Sequence, residues 1–104
     1  MTDAVLQWDL VNPEGACRPA SLRPAARPST LEGKRVGLAW NGKPGGEHAL
    51  DEIAALLAER VPGVRCIRYW EAVPESVSQR ELSGEVIQAM AACKPDVVIV
   101  SQGD

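Results

Sequence analysis

The sequence predicts a small α/β domain built on a parallel sheet. From Leu31 onward, apolar stretches of strand length alternate with stretches of helical period. Their order, β-α-β-α-β, calls for parallel strands joined by helical crossovers. The last stretch, Val97-Val98-Ile99-Val100, is a run of apolar β-branched residues of the kind a parallel sheet buries on both faces.

Residues 1–30 precede this pattern and differ from it. Pro13, Pro19, Pro24 and Pro28, interspersed with Arg18, Arg23 and Arg27, leave no room for a long helix or a central strand. Val5 to Val11 is the exception: Leu6, Trp8 and Leu10 make it a short edge strand or a docking arm that packs on its own domain or on a partner chain. The division is therefore an arm over 1–30 and an α/β domain over 31–104.

Lys34 to Trp40 reads as the first strand, and Asn41-Gly42-Lys43-Pro44-Gly45-Gly46 as a loop. Glu47 to Arg60 reads as a helix. Leu50, Ile53, Ala54 and Leu57 share one side while Asp51, Glu52 and Glu59 take the other, and Pro62-Gly63 ends it. Val64 to Trp70 is a second strand whose partial polar alternation suits a sheet edge. Ser78-Gln79-Arg80-Glu81 has capping-box spacing, which starts a second helix through Leu82, Val86, Ala89, Met90 and Cys93. Gly84 inside that helix costs about 1 kcal/mol relative to alanine, so close packing is expected there. Lys94-Pro95 stops the helix, and Asp96 to Ser101 is the third strand.

Right-handed crossovers and an edge position for the second strand give the spatial order 2-1-3, a flavodoxin- or Rossmann-like half with helices on opposite faces. The switch point then lies between strands one and three. It brings the loop 41–46 beside Ser101-Gln102-Gly103-Asp104, where ligands of open α/β sheets bind.

Composition narrows the function classes. The chain has 104 residues, 45% of them apolar, which suits one soluble domain. Its aromatics are Trp8, Trp40, Tyr69 and Trp70, with no phenylalanine, so the core is Val, Leu, Ile and Ala. A net charge of −3 argues against a nucleic-acid binder held by a basic field. No apolar run approaches the roughly 20 residues that span a bilayer, and the N-terminus lacks signal-peptide character, so a cytoplasmic location away from membranes is expected. Cys17, Cys66 and Cys93 are widely spaced without a CxxC pair. A disulfide framework or metal site is not expected, and neither is a cofactor. Cys66 and Cys93 read as small core residues.

Few residues offer chemistry. The loop 41–46 joins a strand to a helix start, where backbone amides and the helix dipole gather anions, and Lys43 adds a positive charge. It fits neither a P-loop nor a dinucleotide fingerprint, so a plain turn and an anion site both stay open. His48, the one histidine, reads as an exposed first-turn residue or a neutral base; Asp104 is a carboxylate at a strand end. Glu71, Glu75, Glu81 and Glu85 read as a solvated face.

Arg35-Val36-Gly37-Leu38-Ala39-Trp40-Asn41-Gly42-Lys43-Pro44 and Asp96-Val97-Val98-Ile99-Val100-Ser101-Gln102-Gly103-Asp104, in this order and spacing, resemble the N-terminal half of the UGSC-motif family. There selenocysteine or cysteine is followed by Gly-Ser-Cys. The resemblance covers about residues 31–104. In that family an Asn-Ser-Lys-Pro-Asn type loop follows the first strand, and Gly-Asp directly precedes the motif. This chain keeps Asn41, Lys43 and Pro44 but has Gly42 and Gly45 where Ser and Asn are usual.

The resemblance implies a thiol-disulfide oxidoreductase whose motif starts after Asp104, with Asn41, Gly42, Lys43, Pro44, Ser101, Gly103 and Asp104 lining the site and no catalytic residue in the chain itself. Because selenocysteine is encoded by UGA, ordinary decoding would stop at Asp104, leaving a fragment inactive alone. A small anionic or thiol substrate is then expected. So is a homo-oligomer, because the uncovered third strand exposes apolar surface around Val97 to Val100. Two other readings stay open: a non-catalytic anion-binding or oligomerisation module, and an enzyme using His48 and Asp104.

Overall fold

Arg35–Trp40 (β1) is the central strand of a three-stranded parallel sheet, flanked by Arg65–Arg68 (β2) and Val97–Ser101 (β3) in the order β2-β1-β3. The expected order 2-1-3 is the one found. The structure is a computed structural model and describes residues 7–17 and 19–101. Between the strands lie α1 (Gly46–Arg60), a short α2 (Tyr69–Ala72), a 3-10 turn over Pro74–Ser76, and α3 (Gly84–Ala92).

The pleat of β1 divides the core. Val36 and Leu38 are fully buried against Leu50 and Ala54 of α1, with Trp40, Ile53 and Ile99 packed around them. Gly37, on the opposite face, lies under the fully buried ring of Tyr69. The Tyr69 hydroxyl donates to the Met90 carbonyl of α3 at 3.2 Å. The two long helices thus serve opposite faces, as right-handed crossovers from a central strand require.

Strand ends are pinned by short bonds. Asp96 N–H donates to Arg35 O at 2.8 Å, and its carboxylate accepts from Arg35 N–H at 2.9 Å, so one residue clamps β1 to β3 from both backbone groups. Lys94, with φ of +54°, turns the chain out of α3 before Pro95. Arg68 Nε donates to Asp51 at 2.7 Å, tying the end of β2 to α1; that bond holds the guanidinium pKa above its ordinary value.

Four expectations change. The second strand ends at Arg68 rather than Trp70, because Tyr69 turns into α2 to fill the space over Gly37. The capping box at Ser78 and Glu81 does not form. Ser78 Oγ accepts from Arg80 N–H in a local turn, the alternative such residues offer the backbone, and Ser83 caps α3 by accepting from Val86 N–H. Gly84 is then the first residue of α3, and a Cβ there would meet nothing within 4 Å, so no close packing accounts for it. Finally, β3 is not buried on both faces. Ile99 packs towards α1, but Val98 and Val100 are 45% and 63% exposed, because α3 covers their side only in part.

The arm is extended. Trp8, Leu10 and Val11 are exposed and form no strand among the described residues, so this stretch does not pack on its own domain. Val5 and Leu6 lie outside the described residues. Nearer the domain, Pro24 to Pro28 and Leu31 border a cavity against Asp96, Val97 and Val98 at the start of β3.

Candidate functional site

The carboxyl edge of the sheet is set by one register. Trp40, the last residue of β1, pairs with Ser101, the last of β3. The loop 41–46 therefore leaves the sheet beside the point where β3 ends, at the reversal of strand order where open α/β sheets bind ligands.

The loop holds its shape through its own backbone. Asn41 Oδ1 accepts from Lys43 N–H at 3.2 Å, an Asx turn. The Lys43 carbonyl accepts from the Trp40 indole N–H at 2.7 Å and from Gly46 N–H at 3.4 Å. Gly42 and Gly45 take φ of +87° and +94°, left-handed values at which a side chain is strained. Glycine at these two positions is thus a conformational requirement here. Trp40 also meets Trp70 edge to face, with centroids 6.3 Å apart, which anchors the strand end that precedes the loop to the α2 turn.

The family model for the UGSC family matches residues 9–104. The chain belongs to the UGSC family. No curated protein and no solved structure matches it.

Of the residues expected to line a UGSC site, the structure brings together Asn41, Gly42, Lys43 and Pro44 in one loop, with Ser101 in register beside it. Gly103 and Asp104 lie outside the described residues. His48 projects from the first turn of α1 with its side chain 82% exposed, its Nε2 3.3 Å from Glu47 Oε1. The other Glu47 oxygen is buried without a hydrogen-bond partner. Sequence reasoning gave no role to Glu47.

It also missed a pocket. On the α3 side of the sheet, beneath the carboxyl ends of β1 and β3, lies a concavity of about 170 Å³. Ala39, Trp40 and Asn41 form one wall. Ser76, Ser78 and Leu82 of the segment between α2 and α3 form another, closed by Met90 and Val100. No local pattern announces it, because its walls come from four separate segments; the one legible cue is the small Ala39, two residues after Gly37 on the same face of β1.

The thiols in this UGSC-family chain do not converge. Cys66 is half-buried in β2, and burial pushes its thiol pKa up, opposed in part by Arg68. Cys93 sits at the end of α3 with its sulfur 3.7 Å from the Ala89 carbonyl, and Cys17 is exposed in the arm. Among the described residues no cluster of His, Cys, Asp or Glu could hold a metal, and no helix is long and apolar enough to cross a membrane.

Proposed function

We propose that this chain supplies the strand-and-loop half of a thiol-disulfide oxidoreductase site whose selenocysteine- or cysteine-Gly-Ser-Cys motif follows Asp104. The observation that carries the reading is the Trp40–Ser101 register, which ends β3 beside the start of the loop 41–46. A chalcogen leaving a strand end for a helix start has its anion stabilised by the helix dipole. A second sulfur three residues on gives CxxC geometry. In the exchange, the reduced pair passes two electrons and two protons to a substrate disulfide. The substrate leaves as two thiols, and the pair becomes a selenenyl sulfide or disulfide. Without the motif the chain is a folded scaffold with no redox activity. A cytoplasmic setting, where thiols are kept reduced, fits this chemistry.

Two experiments test the reading. Sequencing the gene past Asp104 finds an in-frame UGA or cysteine codon followed by Gly-Ser-Cys codons; any other continuation overturns it. The chain extended through the motif reduces a small disulfide with dithiothreitol as electron source, and the 104-residue chain does not; equal rates overturn it.

We further propose that the chain self-associates through the apolar strip of Ile87, Val98 and Val100, which are 53%, 45% and 63% exposed.

A further inference from the structure

We infer that the pocket beneath the β1 and β3 strand ends binds a small uncharged organic disulfide, an apolar body carrying one hydrogen-bond acceptor, as the substrate of the proposed redox site. The word substrate rests on that redox reading; the binding does not.

Three properties of the pocket carry the inference. The first is size. At about 170 Å³ it compares with an apolar cavity of about 150 Å³ that accepts benzene. A ligand of about six to nine non-hydrogen atoms fits on that scale.

The second is charge. None of the eight lining residues carries a formal charge. An ionised group entering there loses water without gaining a counter-ion, which is costly. This separates the pocket from the loop 41–46, whose Lys43 and helix start suit an anion.

The third is the polarity that remains. Asn41 Oδ1 is engaged by Lys43 N–H, and its amide NH₂ makes no hydrogen bond within the described structure. Ser78 Oγ accepts from Arg80 N–H, so its hydroxyl proton is left to donate. Ser76 Oγ, by contrast, already donates to the Tyr69 carbonyl. The wall therefore offers two donors and calls for an acceptor, a carbonyl or a hydroxyl oxygen, while Ala39, Leu82, Met90 and Val100 cover the rest of the ligand.

Benzamide and benzoate share size and shape and differ in charge. Titrated into the ¹⁵N-labelled 104-residue chain, benzamide saturably shifts the signals of Ala39, Asn41, Ser78 and Val100. Benzoate binds at least tenfold more weakly. Leu82→Trp fills the pocket from a half-exposed loop position and abolishes the benzamide shifts. Ser78→Ala weakens benzamide several-fold and leaves toluene, which has no acceptor, unchanged. Benzoate binding as tightly as benzamide, no saturable shift from either, or benzamide shifts that survive Leu82→Trp would each overturn the inference. None of these readouts needs the redox motif. Failed binding with active disulfide reduction in the extended chain therefore sinks the substrate class alone, and the converse sinks the redox reading alone.

Discussion

The ring of Tyr69 occupies the space where a side chain on Gly37 would begin: a Cβ built on Gly37 would stand 2.5 Å from Tyr69 Cε2. The contact joins the central strand to the α2 turn, and through the Tyr69 hydroxyl to Met90 of α3. It explains why β2 stops at Arg68 and why β1 carries a glycine at its centre.

Gly37→Ala is expected to destabilise the fold by about 1–3 kcal/mol, the usual cost of overpacking a filled core. Urea denaturation measures it. Tyr69→Leu in the same chain frees the space, so the double variant loses less than the sum of the two single changes; strict additivity would count against the contact.

Ser83 is the cap of α3 and Glu81 is not part of one. Ser83→Ala should cost about 1 kcal/mol. Glu81→Ala should stay within about 0.5 kcal/mol, as surface changes do. Matched thermal melts separate the two, and a larger loss from Glu81→Ala would restore the capping box.

At Gly45, φ of +94° leaves the space around a new Cβ open, whereas at Gly42, φ of +87° comes with Val77 Cγ1 3.0 Å from that Cβ. Both alanine variants are strained, each by about 1 kcal/mol or more, and Gly42→Ala is the worse of the pair. Urea midpoints rank them; equal losses would remove the role assigned to Val77.

Alkaline pH should weaken the fold. Burial raises the pKa of Cys66, with Arg68 opposing, and that of Tyr69, where the Cys93 thiolate adds and Arg35 opposes. The ordinary values are about 8.5 for a thiol and about 10 for a phenol. Above those values the unfolded chain releases protons that the folded chain keeps, so stability is full below about pH 8 and falls as pH rises towards the raised folded values. Cys66→Ala with Tyr69→Phe should flatten the fall in urea midpoint between about pH 8.5 and 10.5. An unchanged slope would assign the loss to other groups.

Self-association through β3 predicts a dimer or larger species by light scattering at micromolar concentration. Val98→Lys with Val100→Lys should shift it to monomer without lowering stability, because both side chains are already largely in water. A monomeric parent chain would refute it.

The sequence by itself determined the element order, the parallel sheet and the edge position of β2. These follow from hydrophobic period and from chain punctuation such as Pro62-Gly63 and Lys94-Pro95, which act within a few residues. It also marked the loop 41–46, because Asn, Pro and Gly dictate local backbone geometry. Only the tertiary structure decided what lies far apart in the chain. Ser83 prevailed over Ser78 as a cap because two local hydrogen-bonding options compete, and packing chooses between them. Tyr69 left its strand because a glycine elsewhere made room. Val98 and Val100 stayed exposed because a β-branched run states a preference for burial, while the covering helix must be supplied by the fold. The uncharged pocket is assembled from Ala39, Ser76, Ser78, Leu82, Met90 and Val100, which share no pattern along the chain and meet only where β1 and β3 end together.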